Sequence, residues 1–172
     1  MASIFIRQAD IADAAQIADL SRQTFYDTFA AANTKENMDL FMNEQFSREK
    51  LMSEVGDAGN IFLLAFDEDE IAGYALLREG IQYAQFDDLP AIEIVRIYAL
   101  QTSIGKGVGS AMIKKSIELA RELNKEIIWL GVWEHNKRAI DFYTKWGFEK
   151  FSEHEFILGT DVQTDWLMKR KV

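Results

Sequence analysis

Residues 104–110 read Ile104-Gly105-Lys106-Gly107-Val108-Gly109-Ser110, with glycine at three alternate positions. Alternate glycines remove Cβ atoms where successive N–H groups turn toward a common point. A helix beginning there adds unpaired amides and the positive end of its dipole. A phosphate or diphosphate fits such an end; a tight turn serving only helix-to-strand packing is the competing reading. The flanks narrow the choice of fold. Residues 91–100 form an isoleucine- and valine-rich run that reads as a buried strand, with Glu93 and Arg96 as charged exceptions. From residue 107 to 124, Val108, Met112, Ile113, Ser116, Ile117, Leu119, Ala120 and Leu123 share one helical face, while Lys114, Lys115, Glu118, Arg121 and Glu122 take the other.

The rest of the chain alternates in the same way. Residues 3–8 read as a strand, and Asp10 is placed to cap a helix carrying Ile11, Ala14, Ile17 and Leu20. More helix follows to about residue 55, broken near Asn33 and Phe46. Residues 61–66 and 71–77 are apolar runs joined by an acidic hairpin turn at 67–70. Residues 126–133 read as a strand, 136–146 as a short helix closed by Gly147, and 148–158 with 163–169 as a last strand pair. The order is strand, two or three helices, three strands, helix, strand, helix, two strands, which predicts an α/β fold with helices on the faces of a mixed sheet. With 172 residues and no linker or repeat, one domain over residues 1–172 is expected.

Composition excludes several classes of function. The formal net charge is -9, against a general nucleic-acid or anionic-membrane binder. With no cysteine and two histidines, neither a thiolate metal site nor a histidine cluster is expected, and no metal is called for. Residues 1–6 lack the apolar core of a leader and no run approaches a membrane span, so a soluble cytoplasmic protein is expected. Charge is also uneven. Residues 1–100 hold 7 basic and 18 acidic side chains, whereas residues 101–150 hold 9 and 6, as an anionic cofactor beside a cationic substrate would require.

Spacing separates the phosphate-binding readings. A P-loop needs four residues between its first glycine and a Gly-Lys-Ser/Thr ending, which does not occur. A dinucleotide fingerprint needs glycine at position 110, which is serine, and an acid closing the next strand; Glu126 has the distance but opens that strand. A further motif follows, Asn136-Lys137-Arg138-Ala139-Ile140-Asp141-Phe142-Tyr143-Thr144-Lys145-Trp146-Gly147-Phe148. Strand, G-K-G-V-G loop, long helix, strand and this motif together resemble the GNAT superfamily of acyl-CoA-dependent N-acetyltransferases over nearly the whole chain. Within it, Ile94-Val95-Arg96-Ile97-Tyr98, Trp129-Leu130-Gly131-Val132-Trp133-Glu134 and Gln163-Thr164-Asp165 are similar to bacterial spermidine/spermine N-acetyltransferases. One departure stands at Ile104, where the family usually carries glutamine or arginine.

The resemblance implies a GNAT-like, mostly antiparallel sheet of about seven strands flanked by about four helices, with acetyl-CoA as cosubstrate. It assigns the pantetheine arm to backbone groups of Ile97, Tyr98 and Ala99, and the diphosphate to the loop amides of Gly105, Lys106, Gly107, Val108, Gly109 and Ser110. Lys106, Lys137, Arg138 and Lys145 supply positive charge for the remaining phosphates. Asn136 is expected to bond the pantetheine, to cap its helix, or both. Tyr143 shares a helix face with Ala139 and Ile140 and takes the family's general-acid position; a core tyrosine is the plainer reading. Glu93 is the candidate base because burial in an apolar strand raises a carboxyl pKa, the alternative being an ion pair with Arg96. Asp87 and Asp88 are read as cation-attracting or merely solvated, and His135 and His154 as exposed or structural. The function implied is acetyl transfer to a primary amine of a small cationic acceptor, a polyamine first, by direct attack in a ternary complex. The alternatives are a protein N-terminus, lysine or aminoglycoside as acceptor, and a noncatalytic acyl-CoA-binding regulator; a homodimer is left open.

Overall fold

Five α-helices and seven strands form where the apolar periodicities place them, in a computed structural model that describes residues 3–172. The stretch 1–6 read for a leader thus falls partly outside the described residues. The strands are β1 (Ile4–Gln8), β2 (Asn60–Asp67), β3 (Glu70–Glu79), β4 (Ala91–Ala99), β5 (Ile127–Trp133), β6 (Glu149–Leu158) and β7 (Asp161–Lys171). They form one sheet in the order β1-β2-β3-β4-β5-β7-β6, antiparallel at every step except β4 beside β5. The helices are α1 (Ala14–Phe29), α2 (Lys35–Glu44), α3 (Arg48–Glu54), α4 (Val108–Glu122) and α5 (Lys137–Lys145). One more helix appears than the expected four because Thr34 and Ser47 each accept a hydrogen bond from a backbone N–H three residues on, starting a new helix after each break. No helix among the described residues is long and apolar enough to cross a membrane.

Two apolar layers sandwich the sheet. On one face Val108, Met112, Ile113 and Ile117 of α4 pack with Tyr143 of α5 against Ala75, Ile92, Ile94, Ile128 and Leu130. On the other, Ile17 and Leu20 of α1 cover Phe62, Leu64, Tyr74 and Leu76. A phenylalanine cluster of Phe25, Phe41 and Phe46 joins α1 to α2 and the following turn, with ring centroids 4.5 to 5.4 Å apart. Leu123 is exposed, so the buried stripe of α4 ends earlier than its pattern predicts.

Asp10 caps a 3-10 turn (Ile11–Asp13) that leads into α1, rather than α1 itself. Its carboxylate accepts from the Ala12 amide at 2.9 Å, Asp13 accepts in return from the Asp10 amide at 2.9 Å, and Arg7 donates to both Asp13 oxygens at 2.8 and 2.9 Å. The Arg7 bonds, with the Asp10 amide, pull the Asp13 carboxyl down to about 2. Asp13→Ala is expected to destabilise the protein by about 1 to 2 kcal/mol in urea unfolding at neutral pH. Because the folded-state pKa is depressed, this contribution is complete above about pH 5 and disappears as the pH falls toward 2. Wild type and variant therefore converge in acid; a constant difference down to pH 2 would contradict the pairing.

Candidate active site

The parallel pairing of β4 and β5 runs from Ala91 opposite Ile127 to Ile94 opposite Leu130 and stops. Leu76 pairs with Arg96 and Leu77 with Ile94, so Val95 is an extra residue that bulges β4 against β3. A bulge bends its strand and increases its twist, and here it turns β4 away from β5, which stays paired with β7 through Trp133. Beyond Ile94, the edge of β4 that would face β5 has no strand partner, and its backbone groups open onto a cleft of about 850 Å³. The cleft is lined from both sides of the sheet. Phe25, Phe29 and Phe41 contribute from α1 and α2, and Met112, Phe142 and Tyr143 from α4 and α5.

At one end the cleft meets the start of α4, lined there by Ile104, Gly105, Gly107, Gly109 and Ser110. Gly105 and Gly107 have φ of +85° and +88°, a region where a Cβ strains the backbone. Among the described residues no side chain caps α4, so the amides of Val108, Gly109 and Ser110 are left without helical acceptors. The first internal bond of the helix is from the Ala111 amide to the Gly107 carbonyl at 3.0 Å. The Lys106 amide is already engaged, donating to the Ser103 carbonyl at 3.3 Å, which removes it from the amides expected to face a phosphate. The remaining N–H groups and the dipole of a fifteen-residue helix are chemically suited to an anion.

Arg138 lines the cleft beside this end and also borders a shallow depression formed with Lys137, Asp141, Phe142 and Lys145. Lys145 thus lies on the outer side of α5, outside the cleft, and the exposed Lys106 side chain does not line it either. Val108 offers only its amide, since its side chain is in the core. Ile104 takes part in the lining with its apolar side chain, and what the loop offers an anion is backbone alone.

Tyr143 sits in the cleft wall, 8% exposed, with its ring edge-on to Phe142 and Phe148. Burial pushes its phenol pKa up, so the hydroxyl keeps its proton at neutral pH. Among the described residues no protein group is hydrogen-bonded to that hydroxyl, leaving it free for a ligand atom. Asn136 lines the cleft and also caps α5, its Oδ1 accepting from the Ala139 amide at 3.3 Å. On the far side of the sheet the wall is aromatic, with one carboxylate, Asp165 of β7. His154 Nε2 stands 3.5 Å from Asp165 Oδ2. Desolvation raises the Asp165 pKa, opposed by His154. Among the described residues no cluster of three or more potential ligands could hold a metal ion.

Residues 16–148 match the model of the Acetyltransferase (GNAT) family. This chain belongs to the GNAT acetyltransferases. An uncharacterized N-acetyltransferase of Lactobacillus delbrueckii subsp. lactis is 37% identical over 172 residues, covering 99% of this chain and 98% of that protein. A spermidine N(1)-acetyltransferase of Thermoplasma acidophilum is 24% identical over 153 residues, 86% of this chain and 89% of that one. The crystal structure of a PaiA N-acetyltransferase from Thermoplasma acidophilum in complex with coenzyme A superposes with a TM-score of 0.78 at 22% identity, covering 99% of each chain, and supports the fold. The protein is an acetyl-CoA-dependent N-acetyltransferase.

Of the residues expected in the site of this acetyltransferase, the cleft gathers Ile97, Tyr98, Ala99, Gly105, Gly107, Gly109, Ser110, Asn136, Arg138 and Tyr143. Glu93 is not brought to the cleft wall. It pairs with Trp129 where β4 and β5 are still joined, one residue before the parting. Burial raises its carboxyl pKa as expected, with Arg78 and His154 acting in the opposite direction. The alternative ion pair with Arg96 does not form, because Arg96 Nη2 donates to both Glu54 oxygens at 3.0 and 3.1 Å. Asp165, with His154 behind it, was legible only as part of a family-like stretch. The alternation Gln163, Asp165, Leu167 along β7 was the signal that these side chains share a face.

Proposed function

We propose that the acetyltransferase binds acetyl-CoA along the free edge of β4, admits a small cationic primary amine from the α1 and α2 side, and lets the two react directly in one ternary complex. The observation that carries this reading is a single cleft lined from both faces of the sheet, with an anion site at one end and Tyr143 in its wall. The bound cosubstrate supplies an activated acyl thioester. Gly105 and the first-turn amides Val108, Gly109 and Ser110 hold its diphosphate, with Arg138 adding charge, while Ile97 to Ala99 align the arm as an added strand. Positioning by these fixed elements prepays the translational and rotational entropy that a bimolecular encounter would lose on reaching the transition state. Tyr143 donates its hydroxyl proton to the departing sulfur. The amine must lose a proton to become nucleophilic, and Glu93 is set back from the wall, so a role as base would reach the amine through water. The chain has no cysteine, which removes the commonest nucleophile of an acyl-enzyme route.

Within this class, the net charge of -9 and the similarity to a spermidine acetyltransferase make polyamines the first acceptors to compare with other primary amines. The test is thiol release from acetyl-CoA across a panel of primary amines including spermidine and spermine. Amine-dependent release with saturation is expected. Coenzyme binding with no release by any amine would favour a noncatalytic acyl-CoA-binding regulator.

A further inference from the structure

The acceptor end of the cleft has a composition unlike that of a site for a multiply charged ligand. Phe25, Phe29, Phe41, Phe46, Phe156 and Trp133 supply most of its walls, and the polar side chains among them, Thr28, Gln45 and Gln163, are uncharged. Phe41 meets Phe156 edge-on at 5.7 Å and Phe29 meets Trp133 at 6.2 Å, so the rings form a continuous surface over α1, α2, β5 and β6. Against this surface stands one carboxylate, Asp165, and one cation, Arg96. Arg96 is held in place by Glu54 and by stacking over Phe46, with its carbon Cζ 4.9 Å from the ring centroid. Its charge is balanced at Glu54, outside the lining.

Gly131 leaves space beside Asp165. A Cβ built there would lie 3.6 Å from Leu167 Cδ2, 3.8 Å from Asp165 Oδ2 and 3.9 Å from His154 Nε2, and Gly131 is exposed although it lies within β5. The missing side chain keeps open the approach to the carboxylate at the place where β4 has parted from β5.

We infer that the acceptor is a primary amine carried on an apolar body, its single ammonium paired with Asp165 on arrival and giving up a proton through water before it attacks, and its hydrocarbon lying among the aromatic side chains. This inference rests on the transfer reading above and narrows its acceptor. An ammonium beside Asp165 gains a charge-assisted hydrogen bond and the faces of neighbouring rings. A second or third ammonium on the same molecule would be desolvated against phenylalanine with no carboxylate to meet it. A hydrocarbon in that place loses water contact favourably instead.

The experiment compares 2-phenylethylamine, hexylamine, methylamine and spermidine in thiol-release kinetics. It also measures calorimetric binding of 2-phenylethylamine to the protein saturated with coenzyme A. The two apolar amines should exceed methylamine in kcat/KM by roughly 100-fold and should also exceed spermidine. Asp165→Asn should raise KM for the apolar amines roughly 10- to 100-fold while leaving coenzyme affinity within about two-fold. Phe156→Ala should raise KM for hexylamine and leave methylamine unchanged, a pattern that general loss of structure would not produce; it carries the comparison should Asp165→Asn fail to fold. A preference for spermidine, or an amine KM indifferent to both substitutions, would overturn the inference. If no amine releases thiol, the transfer reading fails, and calorimetry then decides this one. Binding of 2-phenylethylamine weakened by Asp165→Asn would sustain the site, and absent binding would end it.

Discussion

Tyr143→Phe is expected to lower turnover by roughly 100- to 10,000-fold while changing coenzyme affinity by no more than about two-fold. The substitution removes one oxygen from a ring already fixed against Phe142 and Phe148, so the wall of the cleft keeps its shape. The hydroxyl has no hydrogen-bonded protein partner among the described residues, so its loss leaves no protein group orphaned. What disappears is the proton that neutralises the leaving sulfur. Burial keeps that proton on the oxygen at working pH, as an acid requires. The check is kcat at saturating amine beside coenzyme binding by calorimetry. Equal losses in both would mark Tyr143 as structural, and no loss in either would remove it from the reaction.

Gly107→Asp is expected to weaken coenzyme binding by more than about 100-fold while the protein still folds. Nothing lies within 4 Å of a Cβ built at Gly107, so the new side chain enters open space at the head of α4 rather than the core. The φ of +88° there costs an aspartate about 1 to 2 kcal/mol of stability, seen as a lowered unfolding midpoint. The larger effect is electrostatic. A carboxylate about 5 Å from a phosphate at an effective dielectric of 20 is disfavoured by about 3 kcal/mol per unit charge. Gly107→Ala carries the backbone strain without the charge, so it should lose only about 10-fold in affinity. Equal affinities for the two variants would show that the loop binds no anion.

The element order was legible because helix and strand periodicities were clean from residue 91 onward, where one glycine turn anchors the reading. The anion-binding end of the cleft was legible for the same reason. It depends on backbone conformation, and glycines at Gly105 and Gly107 disclose that conformation directly. The acceptor end was not. Phe25, Phe41 and Phe156 look like core residues in any helix or strand, and only the parting of β4 from β5 turns them into a lining. That parting depends on an extra residue at Val95, and a bulge leaves no composition signature in an isoleucine-rich strand. It also explains the reassignment of Arg96. With Val95 as the extra residue, Arg96 shifts against β3 and its side chain meets Glu54 of α3, a partner 42 positions away that no local pattern announces.

On this reading the cosubstrate threads the parted sheet with its diphosphate at the head of α4. The most direct measurement is a crystal structure of the protein bound to coenzyme A. Diphosphate oxygens are expected within about 3 Å of the amides of Gly105, Gly107, Val108, Gly109 or Ser110, and the pantetheine arm beside Ile97 to Ala99 with its sulfur facing Tyr143. A coenzyme lying elsewhere on the surface, with β4 and β5 closed upon each other beyond Ile94, would contradict it.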